Sequence, residues 1–266
     1  MIPRIWDQFS EQSRHYLVMD LVPGRDLKEE LAARGGFLPE EEVLDIGLAL
    51  CGVLSYLHEH QPPVVFRDLK PANTMRTQHG ALFLIDFGIA RGLHAVGGGG
   101  TLRPGTMIGT PGYAPLEQYQ GMAEPRSDVY ALGATLHALL TGYDPEQGQP
   151  LTFPPARQLR PEAHAETEYI LARAVELKPS DRFADAHAFA QALADAKKVM
   201  QALQPTKAAT APVQAPAPAP LSSPPQSPSS TSGRAQQLSP LLPGHLSWAT
   251  GYSIRYSAWE RCCAVS

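Results

Sequence analysis

Residues 64 to 88 read V-V-F-R-D-L-K-P-A-N-T-M-R-T-Q-H-G-A-L-F-L-I-D-F-G. The stretch sets Asp68, Lys70, Asn73 and Asp86 around a short apolar hairpin, with strands expected at Val64 to Phe66, Thr74 to Thr77 and Ala81 to Ile85. These four polar groups are what a phosphoryl-transfer site needs. An Asp accepts or orients a hydroxyl proton, a Lys neutralises charge on the moving phosphoryl, and an Asn with a second Asp offers hard oxygen ligands to magnesium.

Working outward, the 266 residues and 43% apolar content suffice for a real core. The formal charge is -4, but the part from Pro205 onward carries four basic residues against Glu260 alone. The first 204 residues therefore hold 18 basic and 25 acidic side chains. That balance argues against nucleic acid or an anionic membrane as partner of the folded part. Cys51, Cys262 and Cys263 have neither disulfide-framework nor zinc spacing and read as reduced cytosolic thiols. With no leader-like start and no long apolar run, the chain reads as soluble, cytoplasmic and free of a membrane segment.

Strands are expected at Ile2 to Ser10 and Tyr16 to Val22, and a short helix at Asp26 to Arg34. Pro39 followed by three glutamates suits a helix start, and the apolar spacing from Val43 to Leu57 carries that helix to His58. Gly97 to Gly100 lacks the spacing of a phosphate cradle. Helices follow at Ser127 to Leu140, Glu166 to Leu177 and Ala184 to Leu203.

From Pro205 to about Pro240, proline, alanine and serine dominate, a composition unable to offset its ordering entropy. The expected organisation is a domain over 1–203, a disordered linker over 204–244 and a tail over 245–266. The tail reads equally as a docking peptide, the start of another domain or a read-through artefact.

In this order the motifs resemble those of bacterial eukaryotic-like serine/threonine protein kinases. They are F-R-D-L-K-P-A-N at 66–73, D-F-G at 86–88, G-T-P-G-Y-A-P-L-E at 109–117, S-D-V-Y-A-L-G at 127–133 and R-F at 182–183. The resemblance spans about Ile2 to Leu203 and implies an α+β, protein-kinase-like fold, mostly the helical C-lobe with the last two N-lobe strands. It implies transfer of the ATP γ-phosphate to Ser or Thr hydroxyls of protein substrates, with ATP and Mg2+ as cofactors.

Residue by residue, Asp68 is similar to the catalytic-loop Asp, Lys70 to the serine/threonine-type lysine on the γ-phosphate, and Asn73 and Asp86 to the magnesium ligands. Thr110 resembles the threonine bonded to the catalytic Asp and Lys. Glu117 and Arg182 resemble the ion pair that anchors the activation segment, and Asp128 the acceptor of catalytic-loop N–H groups. Met19 falls at the gatekeeper, Asp20 to Val22 at the adenine hinge, Asp26 at the ribose and Met75 at the pocket floor. Arg67 marks the class whose activation-loop phosphate is gripped by arginine; Thr106, with Thr101 second, is the expected phosphosite. Arg76, Arg91 and Arg103 read as solvated loop cations, the alternative for Arg91 being a share in gripping the Thr106 phosphate.

The sequence departs from the pattern in two places. Phe66 replaces the usual catalytic-loop His. A Gly-rich loop, a strand bearing the phosphate-binding Lys and a helix bearing its Glu partner are missing, and Lys28, the first lysine, lies past the hinge. The expectation is an N-terminally truncated kinase of poor activity, either a fragment of a longer product or a pseudokinase scaffold. An aminoglycoside-phosphotransferase-like enzyme shares D-x-x-x-x-N but generally lacks the 109–117 segment, which favours a protein substrate. The 205–266 segment is the place for docking partners.

Overall fold

The computed structural model describes residues 1–11, 14–86 and 109–203. Among them are five strands and seven α-helices. Strands β1 (Ile5–Glu11) and β2 (Arg14–Met19) pair with each other, and β3 (Gly24–Asp26), β4 (Thr74–Thr77) and β5 (Leu82–Leu84) form a three-stranded antiparallel sheet. The helices are α1 (Leu27–Ala33), α2 (Glu40–His58), α3 (Leu116–Tyr119), α4 (Pro125–Thr141), α5 (Ala156–Leu159), α6 (Ala165–Ala174) and α7 (Ala186–Leu203). Met1–Phe9 and Leu17–Gln204 make up the unit considered below; Ser10–Tyr16 fall in a second one.

The core is helical. Helix α2 packs against α4 and α7, and α6 against α4 and α7. Leu44, Leu50 and Leu54 of α2 meet Leu132, Leu136 and Leu139 of α4 and Phe189 and Leu193 of α7, all fully buried. Helix α4 is buried all round from Ser127 to Leu140, as befits a central helix rather than a one-sided one. Small residues make that possible: a Cβ on Gly47 would come 2.8 Å from both Leu136 and Leu193 side chains, so glycine lets three helices meet there.

Several elements differ from the sequence expectation, each for a local reason. Val64 to Phe66 forms no strand, because its N–H groups go elsewhere: Val64 donates to the Leu57 carbonyl and Phe66 to the Asp128 carboxylate. Asp26 ends β3 and is the N-cap of α1, which begins at Leu27, its Oδ1 accepting from Glu29 N at 2.8 Å. The hairpin β4–β5 gains β3 as a third strand, with Asp26 opposite Met75 and Met75 opposite Phe83. Helix α4 starts two residues before Ser127, since Pro125 suits the first turn and Glu124 with Ser127 forms a reciprocal capping box. Gly142, at φ 75°, ends it in the left-handed conformation. Helix α6 stops at Ala174, three residues short of Leu177.

Strand β1 is exposed along its length, with Ile5, Trp6 and Phe9 open to solvent. Arg76 is no loop cation: it sits on β4, half-buried, in an ion-pair cluster with Glu30 and Glu42 that also holds Arg34. Cys51 is buried, and burial pushes its thiol up to about 12, so it is an inert core group. Among the described residues no helix is long and apolar enough to cross a membrane.

Candidate active site

Helix α4 supplies a hydrogen-bond acceptor to the start of the loop between Phe66 and Asn73. Asp128, fully buried in the first turn of α4, accepts from Phe66 N at 2.7 Å and Arg67 N at 2.9 Å. His58, at the end of α2, bonds the same carboxylate through Nε2 at 2.8 Å. Three elements thus converge on one buried carboxylate, and a buried charge is tolerable only when it is satisfied in this way. Phe66 is buried, as suits an aromatic at a packing position.

Arg67 has φ 72°. This left-handed geometry costs a non-glycine residue about 1–2 kcal/mol and is maintained by its surroundings. It turns the chain so that the next residue, Asp68, faces the 109–117 segment. There Thr110 Oγ1 donates to Asp68 Oδ1 at 2.7 Å and accepts from Lys70 Nζ at 2.6 Å. Lys70 Nζ lies 3.6 Å from Asp68 Oδ2. A 3-10 turn over Pro71–Asn73 then brings Asn73 back, and its Nδ2 donates to both the carbonyl (2.8 Å) and Oδ2 (2.9 Å) of Asp68. Asp68, Lys70, Asn73 and Thr110 form one hydrogen-bonded constellation.

Asp86 follows β5. Ile85 N donates to the Asn73 carbonyl at 2.9 Å, which sets Asp86 beside Asn73, and Asp86 itself is left-handed at φ 57°. With its amide nitrogen turned to Asp68, Asn73 keeps Oδ1 as a hard oxygen donor, and Asp86 adds a carboxylate. Among the described residues no cluster of three or more His, Cys, Asp or Glu side chains has metal-binding spacing. A cation held by Asn73 and Asp86 would therefore complete its shell with waters and phosphate oxygens, the habit of magnesium.

The expected nucleotide positions lie nearby in the chain path. Met19 ends β2; Asp20 is exposed, and its carboxylate accepts from Arg4 N at 3.1 Å and Trp6 Nε1 at 2.6 Å, which fixes the start of the connection. Val22 is buried. Asp26 and Met75 are direct cross-strand neighbours, so the ribose and floor positions adjoin one another. Arg67 is exposed. Thr101, Thr106, Arg91, Arg103, the 97–100 glycines and the last two residues of D-F-G lie outside the described residues.

The 109–117 segment is anchored at its far end by Glu117 and Arg182. Arg182 is 2% exposed; its Nη1 and Nη2 reach Glu117 Oε1 at 2.7 Å and Oε2 at 3.2 Å. Ser127 donates to Oε1 at 2.8 Å, and the Arg182 guanidinium also donates to the carbonyls of Glu176, Leu177 and Arg126. Burial alone would raise the Glu117 carboxyl, but the Arg182 and Ser127 hydrogen bonds outweigh it and hold the group below its ordinary value.

Two contributors escaped the sequence reading. His58 has no metal-ligand or triad spacing to other residues in the sequence, yet it bonds Asp128. Gln118, 2% exposed, donates through Nε2 to the Arg67 carbonyl at 2.8 Å. Neither residue type advertises such a role; Gln118 alone stands next to a motif, directly after Glu117.

Comparison with known proteins gives the family. The family model described as Protein kinase domain matches residues 1–197. Serine/threonine-protein kinase PknL of Mycobacterium tuberculosis is 33% identical over 193 residues, covering 68% of this chain and 47% of that protein. Serine/threonine-protein kinase C of Synechocystis sp. is 34% identical over 202 residues, 72% of this chain and 36% of that one. The crystal structure of the Mycobacterium tuberculosis PknI kinase domain superposes with a TM-score of 0.59 at 30% identity, covering 73% of this chain and 71% of the other. The chain belongs to the protein kinase family and has its mixed α+β fold. It spans about half the length, or less, of these curated relatives.

Proposed function

We propose that the chain transfers the γ-phosphate of ATP to serine or threonine hydroxyls of protein substrates, as a serine/threonine signalling kinase of the non-specific class. The observation that carries this reading is the constellation of Asp68, Lys70, Asn73 and Thr110. Asp68, aligned by Thr110 and Asn73, accepts a hydrogen bond from the acceptor hydroxyl and takes its proton as the new bond forms. Lys70, already drawn toward that site by Thr110, places its ammonium where negative charge develops. Asn73 Oδ1 and the Asp86 carboxylate would hold magnesium, which would neutralise charge on the phosphates of ATP.

The nucleotide base lies against the connection from Met19 to Val22, with Asp26 at the ribose and Met75 beneath it. Arg67 grips a phosphate on Thr106. Residues 1–203 form the domain, 204–244 a linker and 245–266 a tail that recruits partners, and the protein acts in the cytoplasm. The test is magnesium-dependent ATP binding by calorimetry. Binding by the wild type that is lost in Asp86→Asn and weakened in Asn73→Ala supports the reading; binding indifferent to both substitutions contradicts it.

A further inference from the structure

We propose that Gln118 is a positioning residue for Asp68, a role that rests on the phosphotransfer reading above. Its buried Nε2 donates to the Arg67 carbonyl at 2.8 Å. That carbonyl and the N–H of Asp68 belong to one planar peptide unit, so gripping one end sets the plane from which the Asp68 side chain departs. Arg67 stands at φ 72°, a region disfavoured for residues with a Cβ. Asp128 holds its N–H from one side at 2.9 Å, and Gln118 holds its carbonyl from the other. With both ends occupied, the residue cannot relax to an ordinary conformation and carry Asp68 away.

Gly109 makes room for the arrangement. At φ 128° it is itself in a glycine-favouring region, and a Cβ there would stand 2.5 Å from Gln118 Nε2 and 2.4 Å from Ala114 Cβ. The segment from Gly109 to Gln118 therefore carries two crosslinks to the catalytic loop. Thr110 holds the Asp68 carboxylate, and Gln118 holds the peptide plane before it. A shift of this segment as a unit displaces both the base and its backbone.

The experiment compares the full wild-type chain with Gln118→Met, which keeps length but has no donor. Amide hydrogen exchange is read at Arg67, whose N–H donates to Asp128 Oδ1, with residues 50–57 of α2 as control, together with kcat and the KM for ATP. Exchange at Arg67 is expected to rise about tenfold as the residue, released at its carbonyl, relaxes off Asp128, with the α2 control unchanged. The kcat is expected to fall roughly ten- to hundredfold at constant KM for ATP, since the defect is one of alignment. Unchanged exchange at Arg67, or an equal rise in α2, overturns the proposal.

Should Gln118→Met fail to fold, Gln118→Glu provides the second test. Its carboxylate at about pH 8 has no proton to donate and opposes the Arg67 carbonyl. Exchange at Arg67, corrected for intrinsic rates, is expected to exceed the wild-type value at that pH with the α2 control unchanged; exchange equal to wild type overturns the proposal. If the phosphotransfer reading itself is wrong, the wild type transfers no phosphate, while the exchange data still decide whether Gln118 sets the Arg67–Asp68 plane.

Discussion

Thr110 and Asp68, 42 residues apart in the chain, share a hydrogen bond of 2.7 Å. The same hydroxyl accepts from Lys70 Nζ at 2.6 Å, so one small side chain bridges the Asp68 carboxylate and the Lys70 ammonium, whose nearest atoms lie 3.6 Å apart. Thr110→Val keeps the shape and removes both bonds. The expected result is a kcat lowered at least about tenfold, the worth of one to two hydrogen bonds, with Thr110→Ser close to wild type. Steady-state kinetics on a serine-containing peptide checks it.

Glu117 and Arg182 are the anchor of the 109–117 segment, and neither can stand alone in the core. Arg182→Met leaves the buried Glu117 carboxylate without its cation, and a loss of about 3–5 kcal/mol of stability is expected. The double variant with Glu117→Leu is expected to recover part of it, because a buried pair removed whole costs less than a pair broken. Urea denaturation of the wild type, both single variants and the double variant measures the coupling.

Acid sensitivity follows from the same pair. The Glu117 carboxyl is held below its ordinary value, so it contributes stability that is present above the unfolded value near 4.5 and is lost as pH falls below it. Glu117→Gln is expected to show a shallower loss of stability than wild type below about pH 4.5, from a lower starting point. Thermal denaturation across pH 3 to 7 in the two proteins tests the slope.

His137 gives a second, separate pH window. It is buried against Phe153 and Tyr143, with ring centroids 5.3 and 5.8 Å away, and its Nε2 pairs with the Pro154 carbonyl at 2.8 Å. Burial lowers its pKa from 6.5, so the unfolded chain binds a proton that the folded chain resists. Stability is therefore expected to fall as pH drops below about 6.5, by up to about 1.4 kcal/mol per unit. His137→Phe removes that slope between pH 5 and 6.5, as measured by denaturation midpoints.

Much of this was legible beforehand because phosphotransfer chemistry leaves dense, ordered residue signatures. Asp68, Lys70 and Asn73 stand within one short loop, and Thr110 stands in a segment with its own glycine and proline punctuation. What was not legible shares a cause: long-range pairing. Val64 to Phe66 had strand-like composition, but its amides are claimed by Leu57 and Asp128, which no local pattern reveals. β3 is three residues long and hidden by the Pro23-Gly24 turn, and it exists because Arg25 pairs with Arg76 on β4. Gln118 and His58 are ordinary residue types whose partners lie 51 and 70 positions away.

The central claim is that Asp68 is the base of a phosphoryl transfer to serine or threonine. Incubation of the full chain with magnesium and γ-labelled ATP, followed by phosphoamino-acid analysis of a general protein substrate, addresses it directly. The expected result is label on serine and threonine with the wild type and a loss of at least about a hundredfold in Asp68→Asn, which keeps the shape without the base. Equal labelling by Asp68→Asn, or magnesium–ATP binding without any transfer by the wild type, would contradict it.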